Sequence, residues 1–326
     1  MTYPTYELTR CPVCDTLESV QVADADALRA EVELLWAFHE RRLKTGVPPQ
    51  CLTDRLAFSQ HPPLRLSQCE ACEHVYRNPW ETRETLKAAY AGTTLTADVL
   101  QGLFATQHKA GRAQARRLTR MAGRAGRGLE VGSYVGGFLA AARDAGWTFQ
   151  GVDVNPDACA FAAGKGFRVT CGEIADVDVS RRFDAVAVWN TFEQLYDARA
   201  ALVSARGLLL EGGILALRIP NGRYYLDWRE RLAGPLGRIA TCLLAHNNLL
   251  TFPYRQGFTR RSIGALLAQC GFTIVGVFGD TLVPVADRWT TRYGRLEERW
   301  VKRVQRFLQP GWRSPWVEVY ARALPQ

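Results

Sequence analysis

Between residues 128 and 219 short apolar runs alternate with helical patterns, and this order constrains the chain more than any other feature. Residues 128–131, 148–154, 167–171, 183–189 and 213–219 read as strands; 138–145, 156–164 and 198–210 read as helices. A helix between successive strands makes them parallel, because a parallel partner needs a crossover connection. The result is an α/β sheet with helices on both faces. Ligands of such sheets lie beyond the carboxyl ends of the strands, where the strand order reverses, so functional residues are expected directly after the strands.

The first strand is followed by Gly132-Ser133-Tyr134-Val135-Gly136-Gly137, with Glu130 two places before the first glycine. A dinucleotide loop needs a middle glycine where this chain has Tyr134, which disfavours pyrophosphate binding and a nicotinamide-dependent oxidoreductase. Gly132 and Gly136 instead let the backbone bend tightly and approach an uncharged or cationic ligand. Asp153 ends the second strand, where a carboxylate can accept hydrogen bonds from both hydroxyls of a ribose.

Through the run from Glu130 to Gly136, Gly151-Val152-Asp153-Val154-Asn155-Pro156, Gly172-Glu173-Ile174 and Phe183-Asp184-Ala185-Val186-Ala187-Val188-Trp189-Asn190, the chain resembles class I S-adenosylmethionine-dependent methyltransferases. The resemblance covers roughly residue 127 onward. It implies a Rossmann-like, doubly wound, seven-stranded sheet and S-adenosyl-L-methionine as cofactor. Gly132 and Gly136 would line the path of the methionine and adenosine, Asp153 would hold the ribose, Glu173 and Ile174 would frame the adenine, and Asn190 would approach the methionine amino end. Glu130, Ser133, Tyr134 and Val154 complete the implied cofactor-binding set. Many relatives carry Glu-His after the fourth strand where this chain has Glu193-Gln194, so a histidine there is not carried over. The whole layout resembles a bacterial group of sugar methyltransferases and small-molecule tailoring enzymes. The extra carboxyl-terminal domain of zinc-bearing sugar C-methyltransferases is not expected here, which counts against C-methylation; oxygen is the expected acceptor atom, with nitrogen and carbon left open.

Cys11-Pro12-Val13-Cys14 and Cys69-Glu70-Ala71-Cys72 are two C-x-x-C pairs that together offer four thiolates to a structural Zn2+ in a zinc-ribbon-like segment. Arg10, Arg65 and Arg77 stand close enough in sequence to offset its negative charge. The intervening 54 residues are long for a compact zinc module and must hold something folded. A helix over 24–44 fills them, with Leu28, Val32, Leu35, His39 and Leu43 on one face and Asp24 or Asp26 as cap; His39 reads as a packed core residue. His61 and Cys51 are substitute ligands. A redox role is disfavoured because no thioredoxin-like pattern surrounds either pair. Nine cysteines without an export signal point to reduced thiols and a cytoplasmic location.

The chain divides by this reading into a zinc-binding segment (1–80), a helical linker (81–126, with a helix restarting over 81–90 after Asn78-Pro79) and a cofactor-binding domain (127–326) with a helical cap inserted at about 220–257. The cap holds Tyr224, Tyr225, Trp228, His246, Asn247, Asn248 and Tyr254. His246 is the expected general base for a hydroxyl acceptor, with Glu193 and Tyr254 as alternatives. The net charge of +9 favours an anionic partner. Lys109, Arg112, Arg116, Arg117 and Arg120 on a helix over 107–121 read as a solvated face. A helix over 287–308, with Trp289, Tyr293, Leu296, Trp300 and Phe307 near one side, is expected to cover the sheet edge with a basic outer face, with contact to an anionic membrane or a partner as the alternative. The acceptor is expected to be a small molecule, such as a nucleotide sugar or a carrier-bound group. RNA methylation is disfavoured by the lack of Asn-Pro-Pro-Tyr or a cysteine after the fourth strand, and a non-catalytic cofactor-binding module is the remaining alternative. The sequence leaves the oligomeric state open.

Overall fold

The structure is a computed structural model that describes residues 6–47, 65–91, 96–178, 180, 182–250, 255–282 and 289–325. Its first third supplies β1 (Tyr6–Glu7), β2 (Ser19–Ala23), α1 (Ala25–Glu40), β3 (Leu66–Cys69), β4 (Val75–Arg77), β5 (Trp80–Glu81), α2 (Arg83–Ala91) and α3 (Ala97–Ala122). The alternating region follows as expected: β6 (Arg127–Val131), α4 (Gly137–Asp144), β7 (Thr148–Asp153), α5 (Pro156–Gly164), β8 (Val169–Cys171), β9 (Phe183–Trp189), α6 (Ala198–Leu208) and β10 (Leu209–Pro220). The chain then forms α7 (Gly222–Arg229), α8 (Gly237–His246), β11 (Gln256–Gly257), α9 (Arg260–Gln269), β12 (Phe272–Asp280), α10 (Arg292–Leu308) and β13 (Trp316–Ala323).

Seven strands make one sheet in the order β12-β13-β10-β9-β6-β7-β8. The five strands from β10 to β8 are parallel, while β13 runs antiparallel to both β10 and β12. This is the mostly parallel, doubly wound sheet that the sequence predicts. In β9, Ala185, Val186, Ala187 and Val188 are all buried, as expected of a strand covered on both faces. From β6 the chain moves outward to β7 and β8, then returns to β9 on the other side of β6. The order therefore reverses between β6 and β9, and the ends of those two strands form the crevice where a ligand belongs.

A second sheet, of order β11-β4-β3-β2, carries the cysteines and takes its edge strand from the far side of the cap. The pairing of Gln256 with Tyr76 and of Gly257 with Val75 ties that segment to the amino-terminal unit. Helix α1 packs onto α8, so that Leu28, Leu35 and Phe38 share a core with Tyr225, Leu244 and Trp316. Asp24 caps α1 by accepting the Ala27 N–H at 2.9 Å, and His39 is buried edge-on to Phe38, with ring centroids 5.2 Å apart.

Several elements differ from expectation. Helix α3 begins ten residues before position 107, and α2 begins at Arg83 because Trp80 and Glu81 pair instead with β1. Helix α1 stops at Glu40. Helix α10 has the expected basic outer face, with Arg292, Arg299, Arg303 and Arg306 exposed, but its aromatic side does not turn inward: Gly294, Glu298, Val301, Lys302 and Gln305 are buried, while Tyr293, Leu296, Trp300 and Phe307 are exposed. Polar partners on the cap hold the inward face, with Gln305 donating to the Tyr224 hydroxyl at 2.7 Å and accepting from Asn247 at 3.0 Å. No helix among the described residues is long and apolar enough to cross a membrane.

Candidate functional site

The loop after β6 takes its shape from left-handed backbone at Gly132 (φ +72°), Tyr134 (φ +47°) and Gly136 (φ +77°). The N–H groups of Gly132 and Ser133 both donate to the Val152 carbonyl, at 2.8 and 3.1 Å, pinning the loop to β7. A Cβ at position 132 would stand 2.2 Å from Thr191 Oγ1, so only glycine lets the loop approach the segment that follows β9. Asp153 accepts the Tyr134 N–H at 2.8 Å on one carboxylate oxygen and the Asn155 N–H at 2.9 Å on the other. A carboxylate offers about four acceptor sites, so these bonds do not exhaust it.

Glu130 and Ser133 are buried beneath this loop, and Glu130 Oε2 and Ser133 Oγ find no hydrogen-bond partner among the described residues. Burial, together with the neighbouring Asp153 charge, lifts the Glu130 carboxyl well above the usual carboxylate range. Asp153 is lifted as well, by burial, against the pull of the backbone N–H groups. Two carboxylates at the ends of adjacent strands, one with an orphaned oxygen, suit a ligand bearing positive charge. The residues present therefore fit a sulfonium cofactor with an ammonium group. Ile174 is buried at the start of the turn capped by Glu173, whose carboxylate lies 3.5 Å from Arg83 Nη2, and Val154 faces solvent.

Across the crevice, Asn190 has left-handed backbone (φ +55°), and its side-chain oxygen accepts from Arg218 Nη1. Arg218 is itself buried, 2.7 Å from Asp280 Oδ2 and donating to the Thr281 carbonyl at 3.2 Å. Arg218 is not among the site residues expected from the sequence, although a lone guanidinium within the apolar run 213–220 is a usable signal, because a buried charge there needs partners. Glu193 lies in the short turn Phe192–Gln194 directly after Asn190. It is fully buried, and burial pushes it up to about 8 against the weaker pull of its own backbone N–H, the Arg218 guanidinium and the Gln194 amide.

The structure draws His246 away from this crevice. Its ring is buried edge-on to Phe38 at 5.0 Å, with Nε2 3.3 Å from Glu297 Oε2, and burial holds it down at about 4. Cys242, His246 and Glu297 lie within reach of a common metal ion, but Arg42 forks both oxygens of Glu297 at 2.5 and 2.9 Å and already balances its charge. Tyr254, the other alternative base, and the substitute ligands Cys51 and His61 lie outside the described residues. Tyr224 and Tyr225 pack inside the cap.

The four cysteines of the paired motifs converge. Sγ of Cys11 lies 3.5 Å from that of Cys72, Sγ of Cys14 lies 3.5 Å from that of Cys69, and all four sulfurs fall within 4.8 Å of one another. Four sulfurs at about 2.3 Å from a tetrahedral zinc would stand roughly 3.8 Å apart. Both pairs close the same way: the N–H of Asp15 returns to Cys11 O and that of Glu73 to Cys69 O, each at 2.9 Å, with left-handed backbone at Asp15 (φ +60°) and Glu73 (φ +62°). The Cys72 thiol beside it draws Cys11 down to about 5, while burial pushes Cys69 up to about 11. Four crowded thiols cannot all ionise without a cation among them, so the donor set fits zinc. The arginines expected to offset the charge are engaged elsewhere, Arg10 with Asp15, Arg65 with the Asn78 carbonyl and Arg77 with Glu81.

Residues 106–277, more than half of the chain, match the family described as methyltransferase domain. Among solved structures the fold is similar to a SAM dependent methyltransferase from Archaeoglobus fulgidus, at 17% identity over 66% of this chain and 94% of that one, with a TM-score of 0.44. It is also similar to the CcbJ methyltransferase from Streptomyces caelestis, at 17% identity over 66% and 90% of the two chains, with a TM-score of 0.45. A third likeness is to magnesium protoporphyrin IX methyltransferase from Synechocystis PCC 6803 with bound SAH, at 14% identity over 73% and 93%, with a TM-score of 0.44. No curated protein matches the sequence.

Proposed function

Since this chain belongs to the methyltransferase domain family and is an S-adenosylmethionine-dependent methyltransferase, we propose that it methylates a hydroxyl oxygen of a small-molecule or sugar-containing acceptor, with Glu193 as the general base. When bound, the cofactor supplies a methyl group on a sulfonium whose leaving group is a neutral thioether, so alignment and acceptor deprotonation are what remain for the protein. In this reading Gly132 and Gly136 give the loop its close approach, Asp153 orients the ribose, Ile174 and Glu173 border the adenine, and Glu130 and Asn190 face the cationic end.

The observation that carries the reading is the fully buried Glu193 carboxyl beside the switch point of the sheet, where burial outweighs the groups that would stabilise its charge. A carboxyl raised to about 8 is close to the value at which proton uptake from a hydroxyl is efficient near neutral pH. His246 is replaced as candidate base because it is enclosed between Phe38 and Glu297. Cys11, Cys14, Cys69 and Cys72 hold a structural zinc in this proposal. Release of S-adenosylhomocysteine from a panel of hydroxylated acceptors tests it. Turnover confined to amines or to RNA would overturn the oxygen assignment.

A further inference from the structure

Beside the loop that carries Glu193, two arginines are buried without enough acceptors among the described residues to satisfy them. Arg77 ends β4 and Arg255 precedes β11; the Arg77 N–H donates to the Arg255 carbonyl at 3.0 Å, so their side chains leave neighbouring strands together. They are 4% and 3% exposed, and they share one carboxylate: Glu81 Oε1 lies 3.3 Å from Arg77 Nη1 and Glu81 Oε2 lies 3.4 Å from Arg255 Nη1. Arg255 Nη2 donates to the Glu81 backbone carbonyl at 3.0 Å, and its guanidinium lies 4.4 Å from the centre of the Trp80 ring. Among the described residues, two guanidiniums stand against one carboxylate, which leaves a net positive charge in this part of the interior. Arg77 Nε and Nη2, Arg255 Nε and the indole N–H of Trp80, itself 4% exposed, have no acceptor among the described residues. Buried donors left unmade are costly, and a buried charge that is not balanced more so. Burial also pushes both guanidiniums below the usual arginine range.

The cluster adjoins the proposed acceptor side of the crevice. The Tyr196 ring lies 5.6 Å from the Arg255 guanidinium and 6.2 Å from Trp80, and Gln256 Nε2 reaches the Leu195 carbonyl at 3.5 Å. The Tyr90 hydroxyl donates to Gln194 at 2.5 Å, and Gln194 in turn donates to the Asn190 carbonyl at 2.5 Å. Residues 190–196 thus hold the proposed base at one end and line the arginine pair at the other.

We propose that Arg77, Arg255 and Trp80 form a buried oxyanion subsite that takes the carboxylate or phosphoryl group of the methyl acceptor. Planar guanidinium forks match both groups, and the indole N–H adds a third direction of approach. The inference rests on the placement of the acceptor beside residues 190–196, and it narrows the acceptor class to molecules that carry an anion near the hydroxyl.

The test is calorimetric titration of the full-length, metal-loaded protein with inorganic phosphate and, separately, with acetate, both at constant ionic strength set by chloride. Saturable binding of either anion is expected, and its identity separates a phosphoryl from a carboxylate ligand. Arg255→Gln should raise that Kd by at least about 10-fold. Trp80→Phe keeps the ring under Arg255 while removing one donor, and should raise it by roughly 3- to 10-fold; it serves where the arginine variant does not fold. Absence of binding to the wild type, or equal binding by the wild type and the folded variants, which would mark an adventitious ion only, overturns the subsite. S-adenosylhomocysteine titrated into the same samples reports separately on the methyl-transfer reading, since its binding does not require the arginine pair.

Discussion

The carboxylate of Asp153 accepts the backbone N–H of Tyr134 at 2.8 Å, so the residue proposed to hold the ribose also fixes the left-handed turn of the loop that would lie along the cofactor. Asp153→Asn keeps the shape but replaces a charged acceptor, and one of its two positions becomes a donor facing backbone N–H groups. Affinity for S-adenosylhomocysteine should fall by about 10- to 100-fold, corresponding to one charge-assisted hydrogen bond. Calorimetry reads this directly. An unchanged Kd would remove Asp153 from the cofactor site.

Gly132 is the position where the loop tolerates a side chain least. Gly132→Ala would impose left-handed backbone on a residue with a Cβ, at about 1–2 kcal/mol, and would drive that Cβ into Thr191 Oγ1. Loss of cofactor binding with the secondary structure retained is the expected circular-dichroism and calorimetry result. Thr191→Ala in the same chain should recover part of the binding.

Glu193 makes a prediction with a sign that depends on pH. A carboxyl raised to about 8 in the fold must lose its proton to act as a base, so kcat/KM for a hydroxyl acceptor should climb with pH and level off above about 8. Its effect on stability runs the opposite way. The folded protein holds a proton that the unfolded chain releases near its ordinary value, so this contribution is complete below that value and is lost as pH rises through 8. Glu193→Gln should therefore have a higher Tm than the wild type at pH 9 and a similar Tm at pH 4, while turnover drops on the order of 100-fold or more. A variant that retains full activity would exclude Glu193 as base.

One zinc per chain should be found by elemental analysis, and Cys69→Ser or Cys72→Ser should abolish it. The Tm should fall by at least about 5 °C, because loss of a structural ion costs several kcal/mol of folding free energy. Metal content unaffected by either substitution would show that the four sulfurs do not form one site.

Helix α10 separates exposure from polarity. Trp300 is 67% exposed, and Trp300→Ser should change stability by no more than about 0.5 kcal/mol. Glu298 is buried against Lys302, and Glu298→Ala should cost roughly 3–5 kcal/mol by removing a carboxylate that faces a buried ammonium. Denaturant unfolding of the two variants ranks them, and the reverse ranking would contradict the orientation of the helix.

How far these features could be read in advance follows from the reach of the interactions that create them. The alternation of β6 to β10 was legible because each strand carries its own continuous apolar run and each connection its own helical period. The cysteine pairs were legible because two ligands three residues apart can turn around one ion. Glu193 was named only as an alternative, since its burial comes from the return of β9 to the sheet and not from its neighbours in sequence. The inward face of α10 was not legible: its aromatic residues recur at helical spacing, but the helix packs through Gln305 against Tyr224 and Asn247 and through the buried Glu298–Lys302 pair. Arg77 and Arg255 could not have been paired from the sequence, because the two-residue strand β11 that joins them has no periodicity to detect.

That short strand also bears on what a shortened version of this protein would be. With β11 hydrogen-bonded to β4, and with Leu28, Leu35 and Phe38 lying against Tyr225 and Leu244, a chain begun at α3 would bare an apolar face on the cap and leave Gln256 and Gly257 without a neighbouring strand. Such a fragment would be prone to stick to itself and clear from solution, even though every residue proposed for the cofactor would still be present.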